Sequence, residues 1–280
     1  MTITIERTAV AVQPAKKRRS LARRRENLAG YAFMTPWLLG FVFIIGGPMI
    51  ASLYLSFTDY SVIGKTDFVG FENYLRMFTE DPRFWKSLTV TILYLLAVVP
   101  GVVIVALGLA LALNLGIRGL TFYRALFYIP SLIGGSVAIA LLWRAVFSSD
   151  GLFNSALALI GIDTDFSWIG EPSTARWTLV VLSVWQFGAS MIIFLAGLKQ
   201  IPAELYEAAK MDGAAPIRQF FAITIPMLSP IIFFNVLMTT IAAFQAFNSA
   251  YVVSNGSGGP ADSTLFYTLY LYQRGFVNFQ

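Results

Sequence analysis

The 280-residue chain contains no cysteine and no histidine, and only 12% of its residues are charged. Without cysteine there are no disulfides, thiolate nucleophiles or Cys-based metal sites, and without histidine the usual general base and the commonest metal ligand are gone. No metal site, no resident cofactor and no catalytic residue is expected. A phosphate loop of the form G-x-x-x-x-G-K-[ST] is also missing, which excludes ATP binding through that device. Soluble domains carry about 25% charged residues. A chain this poor in charge and 57% hydrophobic points to lipid as its solvent.

The few charges leave long gaps. Gly30–Phe57, Leu88–Leu113, Ala125–Trp143, Trp177–Leu198 and Ile223–Val253 hold no Asp, Glu, Lys or Arg. Each reaches the ~20 residues that a helix needs to cross a hydrocarbon core of ~30 Å. Helices are expected because unpaired backbone groups in lipid cost several kcal/mol each, and the prolines inside the runs read as kinks that neighbouring helices can tolerate. The first run is too long for the core of a secretory signal and reads as a retained span. The expected fold class is an all-α integral membrane protein, a polytopic bundle with five spans visible.

Deep in the spans there is no ionisable residue, which argues against a proton relay in this chain, while sodium coupling through backbone carbonyls stays open. Lys16, Lys17, Arg18, Arg19, Arg23, Arg24 and Arg25 crowd the arm before the first span. A nucleic-acid-binding arm is the competing reading. A basic cluster abutting a span suits a topology and lipid-headgroup anchor better, so a lipid contact and no nucleic-acid partner are expected. The positive-inside rule then puts the N-terminus in the cytoplasm. Alternation places Thr58–Ser87 and Arg144–Arg176 outside, and Asn114–Arg124 and Lys199–Ala222 inside. Residues 1–29 form the basic arm and 30–280 the transmembrane domain.

One inner segment is polar and compact. Pro202–Met211 suits a short helix, with Glu204 and Glu207 early and Lys210 late. Asp212-Gly213 reads as its stop, with Gly213 in the left-handed cap, and Pro216 opens a second short helix through Phe220. On local signals alone the segment is either an amphipathic loop resting on the membrane or an element that a cytoplasmic partner touches.

The residues Glu207-Ala208-Ala209, Asp212-Gly213-Ala214, Ile223, Pro226 and Pro230 resemble the EAA signature of permease subunits of binding-protein-dependent ABC importers. The flanking AGLKQIPAELYEAA, ITIPMLSP, GLFNSALALIG and VVSNGSGGP, with FVGFENYLRMF and FYRALFYIPSLI, are similar to maltose-type carbohydrate permeases. The resemblance implies an ABC importer permease domain over 30–280, with a sixth span expected beyond Gln280. It implies a coupling loop at 199–222 in which Glu207, Ala208, Ala209, Asp212, Gly213 and Ala214 dock on an ATPase subunit. The implied partners are a second, homologous permease, an ATP-binding cassette ATPase dimer, an extracytoplasmic solute-binding protein and a sugar substrate, all at the cell membrane. Hydrolysis would belong to the partner, so this chain is not expected to be an enzyme.

The fourth and fifth spans carry the interior polar groups Gln186, Ser190, Asn235, Gln245, Asn248 and Ser249. At 100° per residue Ile241, Gln245, Asn248 and Ser249 share one helical stripe with Phe244 at its border. Interhelical hydrogen bonding is the plain explanation of an amide in a span, and Asn235 is assigned to it. The cluster of amides beside an aromatic suits the path of a neutral polyhydroxylated solute. By resemblance, Gln186, Gln245 and Asn248 fall where maltose-type permeases contact sugar, although Ile241 offers no polar group there. Arg144 is expected to snorkel to the interface. The function expected is transport of a sugar or related polyol. A phosphorylated polyol such as glycerol 3-phosphate is the alternative and would want cations that this path lacks. An ion-coupled secondary carrier is a further one, and a membrane enzyme would have to work with Ser or Tyr alone.

Overall fold

The computed structural model describes residues 21–60, 66–116 and 119–278. Lys16, Lys17, Arg18 and Arg19 of the basic arm, and Arg118, lie outside them. The chain divides into two compact units, one reaching to Arg76 and the other starting at Met77.

The first unit is led by α1 (Leu21–Gly40), a π-helical turn (Phe41–Gly46) and α2 (Gly47–Leu55), which run on as one apolar helix over Arg25–Leu55. A proline causes the wide turn. Pro48 has no N–H and its ring crowds the carbonyl of Ile44 four residues back, and opening one turn to π geometry absorbs both defects. A short hairpin follows, β1 (Thr58–Asp59) against β2 (Asp67–Phe68), antiparallel with Thr58 opposite Phe68. Then comes α3 (Glu72–Thr79). Asn73 Nδ2 donates to Ser56 O (3.1 Å) and Thr58 O (2.9 Å), pinning the start of α3 beside the hairpin.

The second unit is built around α4 (Pro82–Asn114), the longest helix, with Asp81 as its N-cap and Pro100 inside. In order follow α5 (Leu120–Ile133), α6 (Val137–Val146), α7 (Leu152–Ala158), α8 (Ala175–Trp185), α9 (Gly188–Leu198), α10 (Ala203–Met211), α11 (Pro216–Gln219), α12 (Ile225–Phe244), α13 (Asn248–Val253) and α14 (Tyr267–Tyr272). Helix α4 packs against α8, α9, α12 and α14. Its buried face includes Val90, Tyr94, Val98, Val102, Ala106, Ala110 and Leu113. Small residues let the helices approach closely, as membrane bundles favour. A Cβ on Gly101 would stand 2.8 Å from Val184 of α8, and one on Gly197 of α9 would stand 3.0 Å from Leu228 of α12. Thr91 Oγ1 of α4 accepts the otherwise orphaned N–H of Tyr267 at the first turn of α14 (2.9 Å), tying the two together.

Among the described residues, three helices are long and apolar enough to cross a membrane, and five if each bent pair counts as one span. The number matches the five apolar runs. Their continuity does not. The run expected as one helix over 125–143 is bent by 100° between α5 and α6, and the run over 177–198 by 43° between α8 and α9. The run over 223–253 ends its long helix at Phe244 and resumes only at Asn248. The short second helix expected from Pro216 through Phe220 is not a separate piece either. It continues through a π-helical turn (Phe220–Thr224) into α12, making one helix of 29 residues. Pro226 repeats the geometry of Pro48, with its ring over the carbonyl of Ala222 inside that wide turn. Asn235, assigned above to interhelical bonding, is buried and donates to Ile231 O of its own helix (2.9 Å). In a helix the carbonyl four residues back is the nearest acceptor, so the amide needs no second helix.

Candidate functional site

The three breaks converge. Gly134, Gly135 and Ser136 between α5 and α6, Gln186 after α8, and Gln245 to Phe247 between α12 and α13 all line one cavity of about 580 Å³. The rest of its wall includes Tyr94, Ser183, Ser190, Thr239, Asn248 and Ser249. Its volume falls within the roughly 300–1,000 Å³ typical of small-molecule sites. Among the described residues, none that lines it is charged. Helices broken at membrane depth are tolerated where the irregular backbone lines a cavity rather than facing lipid.

Gln186, Gln245, Asn248 and Ser249 are thus brought together, along with Ser190. Phe244 is not. It stays on α12, 44% exposed, and Phe247 stands in the wall instead. The helical stripe that grouped Gln245 with Asn248 and Ser249 does not exist, because α12 stops at Phe244 and Gln245 caps it. The break, not the helix period, gathers them. Sequence reasoning missed Tyr94, Ser136, Ser183 and Thr239. The Gly134-Gly135-Ser136 triplet inside an uncharged run was a usable signal of a break. Tyr94 gave none, since one tyrosine on an apolar helix is ordinary. Its hydroxyl pairs with Ser183 Oγ (2.5 Å), and its ring meets Phe266 at 4.4 Å.

The EAA residues sit far along the chain from these breaks, on an elbow. Helix α10 ends in a full left-handed cap. Gly213, at φ +73°, donates its N–H to Lys210 O (3.0 Å), and Ala214 N–H reaches back to Ala209 O (2.8 Å). Two side-chain bonds brace the elbow against the next helix: Gln219 Nε2 to Ala214 O (2.7 Å), and the Tyr206 hydroxyl with Thr224 Oγ1 (2.8 Å). Glu207, Ala208, Asp212 and Gly213 are exposed, while Ala209 and Ala214 are half-buried. Apolar side chains are exposed beside them, with Met211 at 89%.

A third polar cluster closes the start of α4. Asp81 Oδ1 accepts from the backbone N–H of Arg83 and Phe84, and Oδ2 accepts from the Tyr270 hydroxyl (2.7 Å) and the Arg274 guanidinium. Arg83 forks onto Asp262 at 3.0 and 2.8 Å. Asp262 lies in a glycine-rich turn with φ +55°. Arg144, expected to snorkel to the interface, donates to Asn255 Oδ1.

The fold is that of a polytopic helical membrane protein, and the comparisons place it among transport proteins. Residues 83–277 match the family described as "Binding-protein-dependent transport system inner membrane component", and the chain belongs to it. A probable ABC transporter permease of Bacillus subtilis, YesP, is 52% identical over 95% of this chain and 85% of its own length. The lactose transport system permease LacF of Rhizobium radiobacter is 35% identical over 92% and 87%. The trehalose/maltose transport system permease MalF of Thermococcus litoralis is 33% identical over 88% and 83%. Among solved structures, a bacterial alginate ABC transporter in complex with an alginate pentasaccharide-bound periplasmic protein superimposes with a TM-score of 0.69 at 23% identity, over 93% of this chain and 88% of the other. The chain is therefore a multi-pass permease subunit of an ABC transporter and not itself an enzyme.

Proposed function

We propose that this permease conducts a neutral saccharide or related polyol through the cavity among the three helix breaks, and that a separate ATPase drives it through the 199–222 elbow. The observation that carries the solute class is the wall of amides and hydroxyls with no charged side chain. A sugar that sheds water must recover hydrogen bonds from its path, and Gln186, Gln245, Asn248 and Ser249 offer donors and acceptors beside the Phe247 ring. The relatives named for lactose and for trehalose and maltose support a saccharide. Phosphorylated polyols such as glycerol 3-phosphate find no cation among the lining residues.

The coupling role rests on the exposed EAA residues Glu207, Ala208, Asp212 and Gly213, with Ala209 and Ala214 half-buried behind them, and on the braced, partly apolar surface around them. An ATP-binding cassette ATPase dimer is the partner proposed there, with a second homologous permease beside this chain. A solute-binding protein delivers sugar from outside, and the fold neighbour captured with such a protein supports that assignment. The basic arm, residues 1–29, lies in the cytoplasm in this reading, against anionic lipid, and 30–280 form the transport domain. Uptake assays in cells making the complete transporter test the solute class with labelled neutral disaccharides and their carboxylated counterparts. Neutral sugars should be taken up and uronates should not. Uptake confined to the carboxylated set would overturn the assignment.

A further inference from the structure

Gly134 and Gly135 sit side by side at the 100° bend, and their surroundings differ completely. A Cβ built on Gly134 would overlap the Gln186 side chain, at Cγ, Cδ and Oε1. A Cβ built on Gly135 meets nothing within 4 Å. Backbone geometry does not require glycine at 134. Its φ and ψ, −62° and −28°, are ordinary right-handed values that any residue adopts. What the missing side chain supplies is room, and the occupant of that room is one of the cavity's amides.

Gln186 is held from the other side by its own helix. Its Nε2 donates to Leu182 O (3.2 Å), which turns the amide back along the broken end of α8. Both residues line the 580 Å³ cavity. We infer that Gly134 is a positioning residue that seats Gln186 in the cavity wall, so that any side chain at 134 drives the Gln186 amide into the void and narrows the path. The functional consequence rests on the solute-path reading, but the seating itself does not. Overpacked sites respond by forcing neighbours off their preferred rotamers, and here the open cavity is the direction of least resistance.

The chain has no cysteine of its own, so a single reporter can be placed just past the break that follows Gln186, at Ser190 of α9, which also lines the cavity. In membranes from cells expressing the full chain, the labelling rate of Ser190→Cys by a small neutral methanethiosulfonate is measured in four backgrounds. Gly134→Ala should slow labelling several-fold. Gly108→Ala on α4, outside the cavity lining and with nothing within 4 Å of the added Cβ, should leave the parent rate. Gln186→Ala should restore fast labelling in the Gly134→Ala background, because the displaced group is gone. Equal slowing by Gly108→Ala, a parent rate in Gly134→Ala, or slowing that persists in Gly134→Ala/Gln186→Ala would each overturn the pairing. If Gly134→Ala does not accumulate in the membrane, accumulation becomes the readout: recovery in the double variant sustains the pairing, and continued failure ends it. No solute enters this assay, so its failure is distinct from failure of the solute path, which uptake measurements read.

Discussion

Asp81 shows how much a single side chain can hold together at the edge of a bundle in lipid. It caps α4 with one oxygen and gathers Tyr270 and Arg274 with the other. Burial of the carboxyl pushes its pKa up, but the hydrogen bonds from Tyr270 and the Phe84 N–H and the charge of Arg274 more than reverse that, leaving it below its ordinary value of 3.8. A depressed carboxylate stabilises the fold above its ordinary range and loses that contribution as pH falls through the folded value. Asp81→Asn should therefore lower the Tm of the purified protein at neutral pH, and the gap to the parent should close in acid below 3.8. A gap unchanged between neutral pH and strong acid would mean that the carboxylate's charge is not what stabilises this corner. None of this was legible in the sequence. Asp81 lies 189 positions from Tyr270 and 193 from Arg274, and nothing local announces the meeting. The cavity amides were legible because an amide in an uncharged run is costly unless something pairs with it.

Among the elements, the EAA elbow was the easiest to read. Proline at its start, Gly213 at its stop and charges ordered along α10 are local signals, and local sequence decides a short exposed helix. The broken spans were harder. Hydropathy reports that a run is apolar, not that it is continuous, and the broken pieces pack on different neighbours, α5 on α9, α6 on α13, and α8, α9 and α12 on α4, which no local signal announces. Gly213 separates two kinds of glycine. Nothing stands within 4 Å of its absent Cβ, so it is there for its positive φ. A left-handed conformation costs an L-residue about 1–2 kcal/mol, and more for a β-branched one. Gly213→Val should lower uptake with normal insertion, and Gly213→Asn should lower it less, since Asn tolerates the left-handed region. Glu207→Ala should weaken retention of the ATPase subunit in pull-downs. Parent-level uptake and ATPase retention in Gly213→Val and Glu207→Ala, at normal expression, would remove the elbow from the coupling account.

At the scale of the whole molecule, composition decided most. A chain with so few charges, spaced to leave five long apolar runs, has few alternatives to a polytopic helical bundle. The proposed orientation rests on the positive-inside rule applied to the basic arm, and it is open to a direct check because the chain is free of cysteine. A cysteine placed at Asp163 should react with an impermeant thiol reagent from outside intact cells, and one at Glu204 only after the membrane is opened. The reverse pattern would invert the topology. The central claim, a neutral solute passing among three helix breaks, is tested most directly by replacing Gln245 and Asn248 together with Leu, and measuring uptake per assembled complex on one preparation. Each hydrogen bond a dehydrated sugar fails to recover costs ~1–3 kcal/mol, so losing two should slow passage by roughly thirtyfold to twenty-thousandfold while the complex persists. Uptake per complex at the parent rate, with or without a lower yield of complex, would contradict the path and leave the amides as packing between helices.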